Sequence, residues 1–199
     1  LGVRTCDGLE HRIDAIVDDG ATADVPCGSC TACCTSGQFV LIGPDEVDAL
    51  AHIPAQLRFP APRMPEGFVL LGYDEQGRCP MLGSDGCSIY EHRPRTCRTY
   101  DCRVIAAAGV DVAADGKPGI AEAAGRWRFE PSGDDDVAEL GAIRRAARHL
   151  EAHGDQLPEP LRPLTATHVA VSAVRVRRAF RDGADPASAD LASRLERRR

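Results

Sequence analysis

The sequence predicts an α+β protein: a small, irregular cysteine-rich metal-binding module with short strands and helices, followed by a mainly helical C-terminal half. Three observations predict it. All nine cysteines lie in the first 102 of 199 residues, eight of them between Cys27 and Cys102. The segment Cys27-Gly28-Ser29-Cys30-Thr31-Ala32-Cys33-Cys34 consists of small residues and thiols without hydrophobic period, so it can wrap its backbone round an ion but cannot build an apolar core. Beyond residue 134, apolar residues recur at helical spacing.

Each element follows in order. Leu9 to Asp18 reads as a short helix with Leu9, Ile13, Ile16 and Val17 on one side, and Gly20 to Pro26 as a linker, which gives an N-terminal region over residues 1–24. The cysteine module spans 25–103. Within it, Phe39 to Ile42 is a β-type run. Pro44, Asp45 and Glu46 suit the first turn of a helix that runs on through Val47, Leu50 and Ala51 to His52. Four prolines make Pro54 to Pro65 a loop. Phe68 to Tyr73 reads as a strand, and the turn Asp74-Glu75-Gln76-Gly77 lets Arg78 to Leu82 return as its hairpin partner. Ser84-Asp85-Gly86 is a second turn. Pro94 then fits the start of a short helix carrying Cys97 towards Cys102.

Residues 104–133 read as an Ala/Gly-rich connection, with an edge strand at Arg126 to Phe129 and Trp127 as a core anchor. The helical region covers 134–199. Its first helix opens on Asp134-Asp135-Asp136, a solvated acidic start, and sets Val137, Leu140, Ile143, Ala147 and Leu150 on one face. Val169, Ala173, Val176 and Phe180 favour a helix, against a strand suggested by the Val169/Val171 and Val174/Val176 alternation. A last helix spans Ala187 to Arg199.

The formal charge of −6 gives no global attraction for nucleic acid or anionic lipid. No apolar stretch approaches the ~18 residues of a membrane span. Residues 1–19 mix acids, bases and apolar side chains and show no secretory h-region. These features predict a cytoplasmic protein with no membrane partner, and nucleic acid is not the expected ligand. No P-loop, dinucleotide, nucleophile-elbow or zinc-protease motif occurs.

An odd cysteine number in such a chain argues against a disulfide framework and for metal ligation, redox thiols or buried packing. Four cysteines within eight residues, lacking apolar neighbours, favour metal. Cys27, Cys30 and Cys33 are spaced C-x2-C-x2-C, which aims sulfurs inward and opens the bacterial ferredoxin run. The fourth position of that run is Gly37, so the contiguous motif fails. Cys33 and Cys34 are adjacent, and neighbouring side chains ordinarily diverge. Cys79, Cys87, Cys97 and Cys102 add four thiols at gaps of 8, 10 and 5. Arg93, Arg95, Arg98 and Arg103 surround the last two, and their charge should lower thiol pKa values. The eight thiols allow two four-thiolate sites or one such site with supporting thiols. Cys6 stands apart as a free thiol.

The run Cys27-x2-Cys30-x2-Cys33-Cys34, then Gly77-Arg78-Cys79-Pro80-Met81-Leu82, then Asp85-Gly86-Cys87 through Cys97-Arg98-Thr99-Tyr100, resembles the CxxCxxCC, or YkgJ-like, cysteine cluster proteins. The resemblance covers about residues 25–103. It implies zinc or iron chelation, with Cys27, Cys30, Cys33, Cys34, Cys79, Cys87, Cys97 and Cys102 as ligands. Flagellin lysine N-methylases carry a similar cluster in a larger chain.

The cofactor expected is an iron–sulfur cluster or zinc, and the irregular gaps favour the cluster. His92, between Tyr90 and Arg93, is the one histidine placed as an extra ligand, and it reads better as a surface residue. His149 and His153, four apart, read as solvated side chains. Three functions fit: a metal or cluster protein in electron transfer, sensing or scaffolding; an enzyme whose cysteine-ligated centre acts on a substrate; and a zinc-ribbon-like nucleic-acid module. Thiolate–metal bonds should replace part of the core, so metal removal should unfold the first half.

Overall fold

The computed structural model describes residues 4–6, 29–62, 64–183 and 185–197, and the fold is α+β. Two compact units divide the chain: residues 22–100, and residues 1–21 together with 101–199. The helix expected over Leu9–Asp18, the linker before Pro26, and Cys27 fall outside the described residues.

In the 22–100 unit, Val69–Leu71 is the centre of a three-stranded antiparallel sheet. Val40–Ile42 flanks it on one side, with Val40 opposite Leu71 and Ile42 opposite Val69. Arg58–Pro60 flanks it on the other, Phe59 facing Leu70. Period-two alternation turns Val40, Ile42, Val69 and Leu71 to one face. There they pack with Ala49 and Ile53 from the helix Val47–His52 and its end, and with Ile89. Cys79, Met81 and Cys87 lie against this cluster, half-buried.

Two expectations are corrected here. The proline-rich loop 54–65 contains the short helix Ala55–Leu57 and the strand Arg58–Pro60. Proline is tolerated there because the strand is at the sheet edge, where a missing N–H breaks no inner ladder. Residues 68–73 and 78–82 do not form a hairpin. The central strand takes non-local partners, and Leu82–Gly83 pairs instead with Gly86–Cys87 across the Ser84-Asp85 turn.

The other unit is built on helices. Asp134–His153 buries Leu140, Ile143, Ala146, Ala147 and Leu150, and packs against Ala166–Val176. Val137, expected on the apolar face, is exposed, and Glu139 is buried in its place. Glu139 accepts hydrogen bonds from Arg177 Nε and, at 3.0 Å, from Arg181 Nε. Arg177 Nη1 donates to the Val174 carbonyl at 2.8 Å. A charged pair inside the helix interface explains why a periodicity count misplaced that face. His149 is packed rather than solvated, its ring 5.4 Å from that of Phe180.

The Ala/Gly-rich connection is also more ordered than its composition suggests. It holds the helices Arg103–Ala108 and Pro118–Ala124 and the strand Trp127–Phe129, which pairs in parallel with Arg4–Cys6. Pro118 opens the second helix where its missing N–H costs nothing. Trp127 is buried. Ser188–Glu196 closes the chain's helical set, shorter than the expected 187–199 span.

Candidate metal centre

The short helix Cys33–Thr35 carries the adjacent pair, and their sulfurs converge: Cys33 Sγ and Cys34 Sγ are 4.0 Å apart. Adjacent side chains were expected to diverge. A tight 3₁₀ turn brings these two together instead. A tetrahedral ion with metal–sulfur bonds of ~2.3 Å has sulfurs ~3.8 Å apart, so one ion can span this pair.

A close approach of two glycines sets the next thiol beside them. Gly37 N donates to the Gly77 carbonyl at 2.8 Å, and Cys79 N donates to the Cys34 carbonyl at 2.7 Å. Both glycines have positive φ, +60° and +75°. A Cβ on Gly77 would stand 3.3 Å from Gly37 N. The turn before it is closed by Asp74 Oδ1, which accepts from the amides of Gln76 and Arg78. Gly77→Ala should therefore destabilise the 22–100 unit by ~1–2 kcal/mol, from left-handed strain and from pushing the Gly37 and Gly77 turns apart. A denaturant titration of the variant checks this, with metal affinity falling in parallel.

Cys97 arrives on the helix Arg95–Thr99, which is pinned to the sheet. Thr96 Oγ1 donates to the Leu41 carbonyl at 2.7 Å. Glu46 accepts from the amides of both Gly43 and Arg95, and Asp45 pairs with the Arg95 guanidinium. Cys87 comes from the Leu82–Cys87 hairpin, whose Ser88 hydroxyl and amide both donate to the Met81 carbonyl.

These thiols feel one another. Charge on Cys33, Cys79 and Cys97 opposes ionisation of Cys34; charge on Cys33, Cys79 and Cys87 opposes that of Cys97; and charge on Cys87 and Cys33 opposes that of Cys79. A hydrogen bond from the Cys34 thiol lowers Cys33 to about 7, and the same bond, with burial, raises Cys34. Burial pushes Cys97 up to about 12 and also raises Cys79.

The arginines do less than expected. Arg93 lowers Cys97 only against a larger burial effect. Its guanidinium sits 3.5 Å from the Tyr90 ring centre, while Arg95 is held by Asp45 and Arg103 by the buried Asp101. Burial keeps Cys79 and Cys97 as neutral thiols, and the hydrogen bond to Cys33 does the same for Cys34.

Of the remaining sequence-picked thiols, Cys30 lies half-buried in the 22–100 unit and Cys102 belongs to the other. There Trp127 Nε1 donates to Cys102 Sγ at 3.3 Å. His92 hydrogen-bonds Asp48. The grouping of His92 with Asp48 and His52 escaped the sequence. The i, i+4 pair Asp48/His52 was visible there, but its meeting with His92 across 40 residues was not.

Residues 26–112 match the family model CxxCxxCC, described as "Putative zinc- or iron-chelating domain". Comparison with curated proteins and with solved structures gives no match. The CxxCxxCC stretch runs past Tyr100 to take in Cys102 and the helix Arg103–Ala108. Among the described residues no helix is long and apolar enough to cross a membrane.

Proposed function

We propose that the CxxCxxCC domain binds zinc or iron through thiolates of Cys27, Cys30, Cys33, Cys34, Cys79, Cys87 and Cys97, with Cys102 as the eighth ligand. The observation that carries this reading is geometric: the sulfurs of Cys33 and Cys34 lie 4.0 Å apart, and Cys79, from a separate turn, is tied to the Cys34 carbonyl by a 2.7 Å hydrogen bond. Thiols brought together from separate turns can give up their protons to a bound cation and become its ligands. The donor set fits soft or borderline metals and excludes magnesium and calcium, which select oxygen.

The irregular gaps of 8, 10 and 5 favour an iron–sulfur cluster, serving electron transfer, sensing or scaffolding. The 4.0 Å separation of Cys33 and Cys34 favours the second reading, a tetrahedral zinc ion. Anaerobic purification with metal analysis and a visible spectrum separates them. Charge-transfer colour with stoichiometric iron and sulfide supports the cluster. A colourless protein with stoichiometric zinc overturns it.

Metal loading should release protons. Cys97, raised to about 12, is a neutral thiol near neutral pH and must lose its proton to ligate, while Cys33, at about 7, is already half-ionised there. Affinity should rise with pH by up to about tenfold per unit for each proton released. A competition titration with a chelator of known pH dependence measures the slope, and a flat profile would contradict thiol ligation.

A further inference from the structure

We propose that Asp48, His52 and His92 form a second metal site, built on nitrogen and oxygen, for a borderline divalent cation such as Zn2+. The helix Val47–His52 sets Asp48 and His52 one turn apart on the same face. The short helix Tyr90–His92 packs on that face and brings in the third side chain. One ligand atom from each of the three lies within 4.8 Å of the other two.

Two details favour an ion over a surface coincidence. The imidazole rings of His52 and His92 are stacked face to face, centres 3.5 Å apart and 4° from parallel. Aromatic rings do not prefer an eclipsed sandwich, so the stack needs something that holds the two imidazoles side by side. The same carboxylate also serves both rings: His92 Nδ1 is 2.9 Å from Asp48 Oδ2, and His52 Nδ1 is 3.6 Å from Asp48 Oδ1. His52 Nδ1 is further held 2.9 Å from the Asp48 carbonyl, which orients its ring.

Two imidazoles and a carboxylate suit zinc, cobalt, nickel or copper, and discriminate against magnesium and calcium. All three side chains are at least 40% exposed, so water completes the coordination. A site of this kind binds more weakly than a thiolate centre and exchanges its ion readily. It does not depend on the thiolate reading, because none of its donors is a cysteine.

The test uses the full chain as purified, dialysed against Zn2+. The wild-type protein should take up one equivalent beyond its as-purified metal content. Asp48→Asn, His52→Ala and His92→Ala should each weaken that equivalent at least tenfold and leave the as-purified content unchanged. Absence of an additional equivalent in the wild type, or wild-type affinity for it in all three variants, overturns the proposal. In the wild type, the imidazole carbon-bound proton resonances of His52 and His92 should shift together on adding Zn2+. Two unmoved resonances overturn it even if every variant fails to fold. Failure of thiolate ligation would appear separately, in the as-purified metal content.

Discussion

Chelating the metal should unfold residues 22–100 while the helices of 101–199 remain folded. The described core of the first unit contains only Ile42, Ala49, Ile53, Ala61, Leu71 and Ile89 as buried apolar residues. A unit of this size is close to the limit, about 70–80 residues, below which an apolar core seldom suffices without a staple. Structural thiolate sites contribute ~10–16 kcal/mol of apparent binding free energy, as large as the ~5–15 kcal/mol net stability of an ordinary domain. Losing the metal thus removes a term the small core does not replace. Amide hydrogen exchange with and without chelator measures this. Protection should vanish in Val40–Ile42 and Val69–Leu71 and persist in Asp134–His153. Unchanged protection in the two strands would show that the apolar cluster suffices alone.

Glu139→Ala should be the most damaging single substitution among the helices of the other unit, costing ~3–5 kcal/mol. Glu139 is 1% exposed and Arg177 0%, so removing the carboxylate leaves a guanidinium charge deep in the helix interface without this partner. Arg181, partly exposed, can turn to water and softens the loss only at its own end. Urea unfolding of the variant reads the cost. Replacing Glu139 and Arg177 together by methionine should cost less than Glu139→Ala alone, since buried pairs exchange for apolar packing more cheaply than they break. A loss below ~0.5 kcal/mol in the single variant would mean the pair is not desolvated as the structure implies.

Long periodic elements could be read from the sequence because their burial pattern is local. Val169, Ala173, Val176 and Phe180 recur at helical spacing and all four are buried. The acidic start at Asp134 marked the longest helix to the residue. Reading failed where partners are distant or composition hides the pattern. Alanines in 103–124 gave no contrast between faces, so two helices were taken for a connection. Val69–Leu71 pairs with strands near 41 and 59, and no turn signal announces a non-local ladder. The cysteine positions were plain, but the convergence of Cys33 with Cys34 depends on a 3₁₀ turn, and the setting of Cys79 beside Cys34 on the Gly37–Gly77 contact.

Trp127 is the chain's single tryptophan, and its indole N–H is directed at the sulfur of Cys102. The protein therefore carries its own optical reporter. Oxidation, alkylation or metallation of that sulfur changes the hydrogen-bond acceptor of its only indole. The intrinsic emission of the unlabelled chain should report the state of Cys102 in real time, free of any second fluorophore of its kind.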